Sequence, residues 1–169
     1  MRVEALACEH DSAVFAYRDL AEVRRFQGTF PTSVQHVRER AQAQEGQLPL
    51  ASPGWFQLVI LVDGRVVGDL GLHAIDADQV EIGITLAPDI QGRGYAIETL
   101  RLVLDAVLQI RHRLIASVDP RNIPCMNLMA RVGMRQEAHH RQSIHTPQGW
   151  TDDVIFAMLA SELRPAADP

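Results

Sequence analysis

The chain has 169 residues, 47% of them hydrophobic and 22% charged, with a formal net charge of -5 and a pI near 5.8. A domain of this length buries enough surface to hold a core without a metal or a disulfide, and the composition excludes collagen-like, disordered and repeat classes. The acidic balance argues against a general nucleic-acid binder, whose footprint is a basic face.

All 16 basic residues are arginine. The two cysteines, Cys8 and Cys125, lie far apart and form no C-x-x-C pair, so they read as free thiols in a reducing compartment. The first residues carry no signal-peptide pattern, and no run reaches the roughly 18 apolar residues of a membrane span. The expected address is the cytoplasm, with neither membrane nor nucleic acid as a partner.

In chain order, Val3 to Cys8 suits an edge strand. His10-Asp11-Ser12 can cap a helix whose apolar positions Val14, Tyr17, Leu20 and Ala21 carry it to about Arg25. Gly28 to Pro31 breaks it, and Thr32-Ser33 can cap a second helix with Val34, Val37 and Ala41 on one face. Gly46 to Gly54 is a loop. Trp55 to Val62 is an apolar run, Asp63-Gly64 is a hairpin signal, and Arg65 to His73 is the returning strand. Asp76 to Asp78 turns again. In the next strand Val80, Ile82, Ile84 and Leu86 alternate with Glu81, Gly83 and Thr85, so Glu81 and Thr85 share the face opposite the aliphatic row.

Beyond Gly92 and Gly94 the spacing predicts a helix with Ile97, Leu100, Leu104, Val107 and Leu108 inside. Leu114 to Val118 is a buried strand and Asp119 to Asn122 a turn. Met126, Met129, Ala130 and Val132 mark another helix, stopped by Gly133. Arg135 to Ile144 and Trp150 to Leu159 form a last antiparallel pair. The order β-α-α-β-β-β-α-β-α-β-β describes one α+β domain over residues 1–163, with 164–169 a frayed tail.

The segment with most chemical content is Gln91-Gly92-Arg93-Gly94-Tyr95-Ala96, between a strand and an amphipathic helix. Glycines and a small alanine let backbone N–H groups converge, and the unpaired first-turn amides and helix dipole favour an anion. It is neither a Walker loop, lacking Lys-Ser or Lys-Thr, nor a G-x-G-x-x-G dinucleotide fingerprint. A glycine-rich helix start without a ligand is the alternative reading.

This loop resembles the Q/R-x-x-G-x-G/A loop of the GNAT superfamily of acyl-CoA-dependent N-acetyltransferases. The preceding Glu81–Pro88 segment is similar to the family's fourth strand. Asn122-x-x-Cys125 followed by Gly133-Met134 resembles its N-x-x-S…G-F/M segment. Trp150-Thr151-Asp152-Asp153 and the Ser161-Glu162-Leu163 ending resemble the Rim-type branch, which includes enzymes acetylating ribosomal-protein N-termini. The resemblance implies the GNAT fold, a single mixed, mostly antiparallel sheet flanked by helices, and acetyl-CoA as co-substrate with no metal. Three departures stand out: Gln91 replaces the branch's usual Trp, Cys125 its usual Ser, and Met129 the Tyr that many relatives use as general acid.

By that resemblance the acetyl thioester is attacked directly by a neutral amine. Neutralising an α-amine at pH 7 costs roughly 1–1.4 kcal/mol, a lysine amine roughly 4.6 kcal/mol. Glu81 is the expected base, through water. Cys125 is the expected proton donor to the leaving thiolate, a thiol having an ordinary pKa of about 8.5, with a buried inert cysteine as the alternative. Ile84, Thr85, Leu86, Gln91, Gly92, Arg93, Gly94, Tyr95, Ala96 and Asn122 are expected to hold the cofactor, Asn122 doubling as a helix cap.

Asp69 is a candidate to share a site with Glu81, His73 reads as structural, and Trp150 as core or as a wall of the acceptor cleft. His139, His140 and His145 read as strand-exposed, with no carboxylate at ligand spacing. Asp152 and Asp153 either attract a cationic amine or cap a strand. The expected acceptor is a protein or peptide N-terminal amine. The alternatives are a small amine (aminoglycoside, polyamine or amino-acid analogue) or a non-catalytic acyl-CoA-binding module. A homodimer packed through the last strands is the expected assembly.

Overall fold

The computed structural model describes residues 1–28, 30–146 and 149–163. Its elements are β1 (Arg2–Ala5), α1 (Asp11–Arg18), α2 (Ala21–Arg24), α3 (Val34–Ala43), β2 (Gly54–Val62), β3 (Arg65–Ala74), β4 (Gln79–Leu86), α4 (Tyr95–Leu108), β5 (Arg113–Val118), α5 (Ile123–Arg131), β6 (Arg135–Thr146) and β7 (Gly149–Leu159). The strands make one seven-stranded sheet in the order β1-β2-β3-β4-β5-β7-β6. Every pairing is antiparallel except β4 with β5. This is the expected α+β GNAT fold. The tail 164–169 and the tip residues Pro147 and Gln148 lie outside the described residues.

Two cores sandwich the sheet. On one face Leu100 and Leu104 of α4 and Met129 of α5 pack on Leu70, Ile82, Leu114 and Phe156. On the other, Val14 and Tyr17 of α1 and Val37 and Ala41 of α3 cover Val59 and Val67. Each fully buried aliphatic side chain contributes about 1.5–3 kcal/mol. The β2–β3 hairpin turns at Asp63 (φ 50°) and Gly64 (φ 77°), the two left-handed residues that a type I′ turn requires.

Two local expectations need correction. The first helix is two helices, because Leu20 takes an extended conformation (φ -65°, ψ 135°) that stops α1 before α2 starts. The edge strand ends at Ala5, not Cys8. Past it, the buried Gln44 side chain continues the pairing: its amide bonds the Leu6 and Gln57 carbonyls at 3.2 and 2.8 Å, and its Oε1 accepts from Gln57 N at 2.8 Å. No helix is long and apolar enough to cross a membrane.

Candidate active site

β4 and β5 pair over only three positions, Gln79 with Arg113, Val80 with Leu114 and Glu81 with Ile115. Both strands then run on, β4 to Leu86 and β5 to Val118, without pairing to each other. The β5-facing edge of residues 82–86 is therefore left with backbone groups that no strand satisfies, beside a cleft of about 630 Å³. An unpaired strand edge is a ready partner for an extended amide-bearing ligand.

Glu81, Gly83, Ile84 and Thr85 line the cleft from β4; Ser117, Asn122, Cys125 and Met129 line it from β5 and α5. Glu81 is partly exposed, and its Oε2 stands 3.4 Å from His73 Nδ1. Thr85 accepts at Oγ1 from Gln27 Nε2 at 3.3 Å. Leu86 differs: its side chain belongs to the apolar core, and its carbonyl accepts from Gln91 Nε2 at 3.0 Å. That bond ties the glycine loop to the end of β4.

In the loop, Gln91, Gly92, Arg93 and Gly94 are exposed, Tyr95 and Ala96 half-buried. Gly92 and Gly94 are left-handed (φ 77° and 92°), Gly94 is the residue before the first turn of α4, and a Cβ at either would meet nothing within 4 Å. The space in front of the α4 N-terminus is thus open, which an approaching pyrophosphate requires. None of residues 91–96 lines the cleft itself; they form a separate outer ledge.

Asn122 Oδ1 accepts from Cys125 N at 3.2 Å, so the cap role holds and its amide nitrogen stays free. Burial pushes the Cys125 thiol up to about 11. That corrects the ordinary value expected of it: the thiol stays protonated at neutral pH and is a weaker acid than an ordinary cysteine.

Asp69 does not share a site with Glu81. It pairs with Thr85 across the strands, four residues from His73, which is the residue opposite Glu81. Buried Asp69 accepts from Tyr17 Oη at 2.5 Å and from Arg18 Nε and Nη2 at 3.0 and 2.5 Å. Burial of the Tyr17 phenol, and after it the charge of Asp69, push that phenol well above its ordinary range. Arg18 Nη1 in turn donates to Gln27 Oε1 at 2.9 Å, fixing the amide that reaches Thr85.

Trp150 is 64% exposed and makes an edge contact with His145, not a cleft wall. His139 does have a carboxylate beside it, Asp152 Oδ2 at 2.8 Å. Asp153 is buried and accepts from Ser117 Oγ at 2.7 Å. Among the described residues, Glu4, Glu9 and His10 bring ligand atoms within 4.8 Å of one another, but none of them lines the cleft.

Sequence reasoning missed Trp55, Gln57, Gln27, Arg25 and Arg40, which complete the cleft on the side of α1–α3 and β2. Trp55 stacks on His73 with ring centroids 4.9 Å apart. Its signal was the alternation in β2, which puts positions 55 and 57 on the Glu81 face; the arginines carry no pattern of their own.

The family model described as the acetyltransferase (GNAT) domain matches residues 2–135. YnaD, an uncharacterized N-acetyltransferase of Bacillus subtilis (strain 168), is 34% identical over 110 residues, 63% of this chain and 65% of that protein; the chain thus matches just under two thirds of that relative's length. Among solved structures, RimL, a ribosomal-protein α-N-acetyltransferase in complex with coenzyme A, superposes with a TM-score of 0.82 at 17% identity, covering 95% of this chain and 94% of that one. A spermidine N-acetyltransferase chimera from Vibrio cholerae and hSSAT gives a TM-score of 0.79 at 18% identity over 96% and 98%. The domain match, together with the splayed strands and the glycine loop, leads to one conclusion: the chain belongs to the GNAT family of N-acetyltransferases.

Proposed function

We propose that this protein transfers the acetyl group of acetyl-CoA to a primary amine, a protein or peptide N-terminal α-amine in the first instance. The observation that carries this reading is the open β4 edge with Glu81 on its cleft face and the glycine ledge at its end. The residues present fit the cofactor. The open edge of Ile84, Thr85 and Leu86 would pair with the pantetheine amides. The amides of Gly92 to Ala96 at the α4 N-terminus, with Arg93 beside them, would receive the pyrophosphate, and the free amide nitrogen of Asn122 would contact the arm.

Acetyl-CoA supplies an activated thioester; this chain supplies orientation and proton handling. Backbone N–H groups at Ile84 to Leu86 donate to the thioester oxygen as charge develops there. Glu81, through a water, takes the proton of the attacking amine. Cys125 or a water returns a proton to the departing sulfur, and the raised thiol pKa makes Cys125 a weaker acid for that step than an ordinary cysteine. Met129 occupies the place of the family's tyrosine acid and is itself fully buried, so no phenol competes for that step. An α-amine suits such a site, since neutralising it asks only about 1–1.4 kcal/mol of a single half-exposed carboxylate.

Titration calorimetry with acetyl-CoA and with free CoA, followed by CoA release against N-terminal peptides, tests the reading. Micromolar binding and turnover support it. Binding without turnover of any amine would leave only an acyl-CoA-binding module.

A further inference from the structure

Trp55, His73 and Glu81 stand directly opposite one another on β2, β3 and β4, one residue from each strand. Residues paired in this way share one face of a sheet and touch. Among the described residues, Trp55 and Glu81 line the cleft, and His73, between them, does not. On its β2 side the imidazole is stacked by the Trp55 ring, with centroids 4.9 Å apart and an interplanar angle of 11°. On its β4 side Nδ1 stands 3.4 Å from Glu81 Oε2, at the outer limit of a hydrogen bond. Gly71 leaves room for the stack: a Cβ there would come within 2.9 Å of two carbons of the Trp55 ring. Trp55 nevertheless remains 52% exposed, so the ring is placed by this row more than by burial in a core.

The row constrains one carboxylate oxygen and leaves the other. An ionised carboxylate only accepts hydrogen bonds, so the contact needs the His73 proton on Nδ1. It occupies Oε2. Oε1 takes no hydrogen bond from the described residues. On the β5 side Glu81 is registered with Ile115, whose side chain has no polar atom. Among the described residues, His73 is therefore the side chain that can hold the Glu81 carboxylate in one orientation. A free glutamate side chain samples many rotamers, and a base works only when aimed at the proton it takes.

We propose that His73 is a positioning residue for the transfer: clamped by the Trp55 stack, it donates from Nδ1 to Oε2 of Glu81 and leaves Oε1 to the water that relays the amine proton. This rests on the acetyltransferase reading above, with Glu81 as base. His73 touches neither acceptor nor cofactor in this arrangement, so its whole effect on turnover passes through Glu81.

The test is CoA release from acetyl-CoA with an alanine-initiated peptide, free glutamate and spermidine as acceptors, the fastest being carried through four variants: His73→Phe, His73→Asn, Glu81→Gln and the double variant His73→Phe with Glu81→Gln. His73→Phe keeps a ring for Trp55 to stack on and removes the donor; His73→Asn keeps a donor and removes the ring. His73→Phe is expected to lower kcat by roughly tenfold to a hundredfold, the scale of a hydrogen bond to a charged group, with acetyl-CoA affinity by calorimetry unchanged. His73→Asn is expected to return part of that loss. In the Glu81→Gln background His73→Phe should cost nothing more, because residues that act through one another are not additive. A merely structural histidine gives the reverse order, with His73→Phe the better tolerated, and a contact to the acceptor gives losses that multiply. Thermal melts fix a temperature at which all the variants are folded. Full kcat in His73→Phe, the reverse order of the two variants, or a multiplied loss in the double variant overturns the proposal while the acetyltransferase reading stands. A Glu81→Gln variant as active as the native chain overturns the choice of base and this proposal with it. No turnover of any of the amines overturns both the proposal and the acetyltransferase reading.

Discussion

Glu81 and His73 face each other across β4 and β3, with Oε2 3.4 Å from Nδ1, and the Trp55 indole lies nearly parallel to the His73 ring at an interplanar angle of 11°. Three adjacent strands thus contribute one row of side chains on the cleft face. The stacked indole holds the imidazole, and the imidazole borders the carboxylate proposed as base. Removing the carboxylate while keeping its shape isolates its role: Glu81→Gln is expected to lower kcat by about 10²–10⁴, the usual worth of a general base. Acetyl-CoA affinity, read by calorimetry, should change far less than kcat.

Cys125 gives a pH prediction. Burial raises its folded pKa to about 11 from an ordinary thiol value of about 8.5–9. A raised pKa means that the folded state binds the proton more tightly, so this contribution is complete below pH 9 and is lost as pH rises through 11. The loss is at most about 2–3 kcal/mol. Denaturation midpoints measured from pH 8 to 11.5 should fall more steeply for the native chain than for Cys125→Ala, and in a Cys8→Ala background, where Cys125 is the one thiol, thiolate absorbance of the folded protein should appear only near pH 11.

Gly94 precedes α4 with φ 92°. Gly94→Ala places a Cβ in a left-handed conformation, costing about 1 kcal/mol or more of stability. Gly94→Trp adds bulk on the ledge proposed for the pyrophosphate. The tryptophan variant should lose acetyl-CoA binding by calorimetry; unchanged affinity would sink the assignment of the ledge.

At Gly68 the constraint is contact. A Cβ there would lie 2.5 Å from the Thr85 carbonyl oxygen of β4, and backbone cannot move aside as a side chain tip can. Gly68→Ala is expected to destabilise by about 1–3 kcal/mol, and, because Thr85 lies on the cleft wall, to weaken acetyl-CoA binding as well. A urea titration and a calorimetric titration of the same sample measure both.

Asp69 anchors the wall from behind. Asp69→Asn leaves Arg18, whose side chain is only 14% exposed, without its carboxylate. The expected cost is about 3–5 kcal/mol, visible as a lower urea midpoint with an unchanged slope.

Much of this molecule is written in short-range pattern. The alternation of β4, the glycines at 92 and 94, the amphipathic stripe of α4 and the Asn122 cap are local features, each fixed by steric limits or by a period of 2 or 3.6 residues. They sufficed to place the fold, the glycine ledge and Glu81 on the cleft face. The break at Leu20 was not legible, since nothing in a leucine announces an extended residue between two helical turns. The pairing of Glu81 with His73 and not Asp69 depends on the β3–β4 register. The fate of Asp69 depends on α1 crossing that sheet face, and the exposure of Cys125 on how α5 packs. Arg18 shows the limit most clearly: its partner Asp69 lies 51 residues further along the chain, and which charge a buried guanidinium meets is decided only when residues far apart in the chain are brought together.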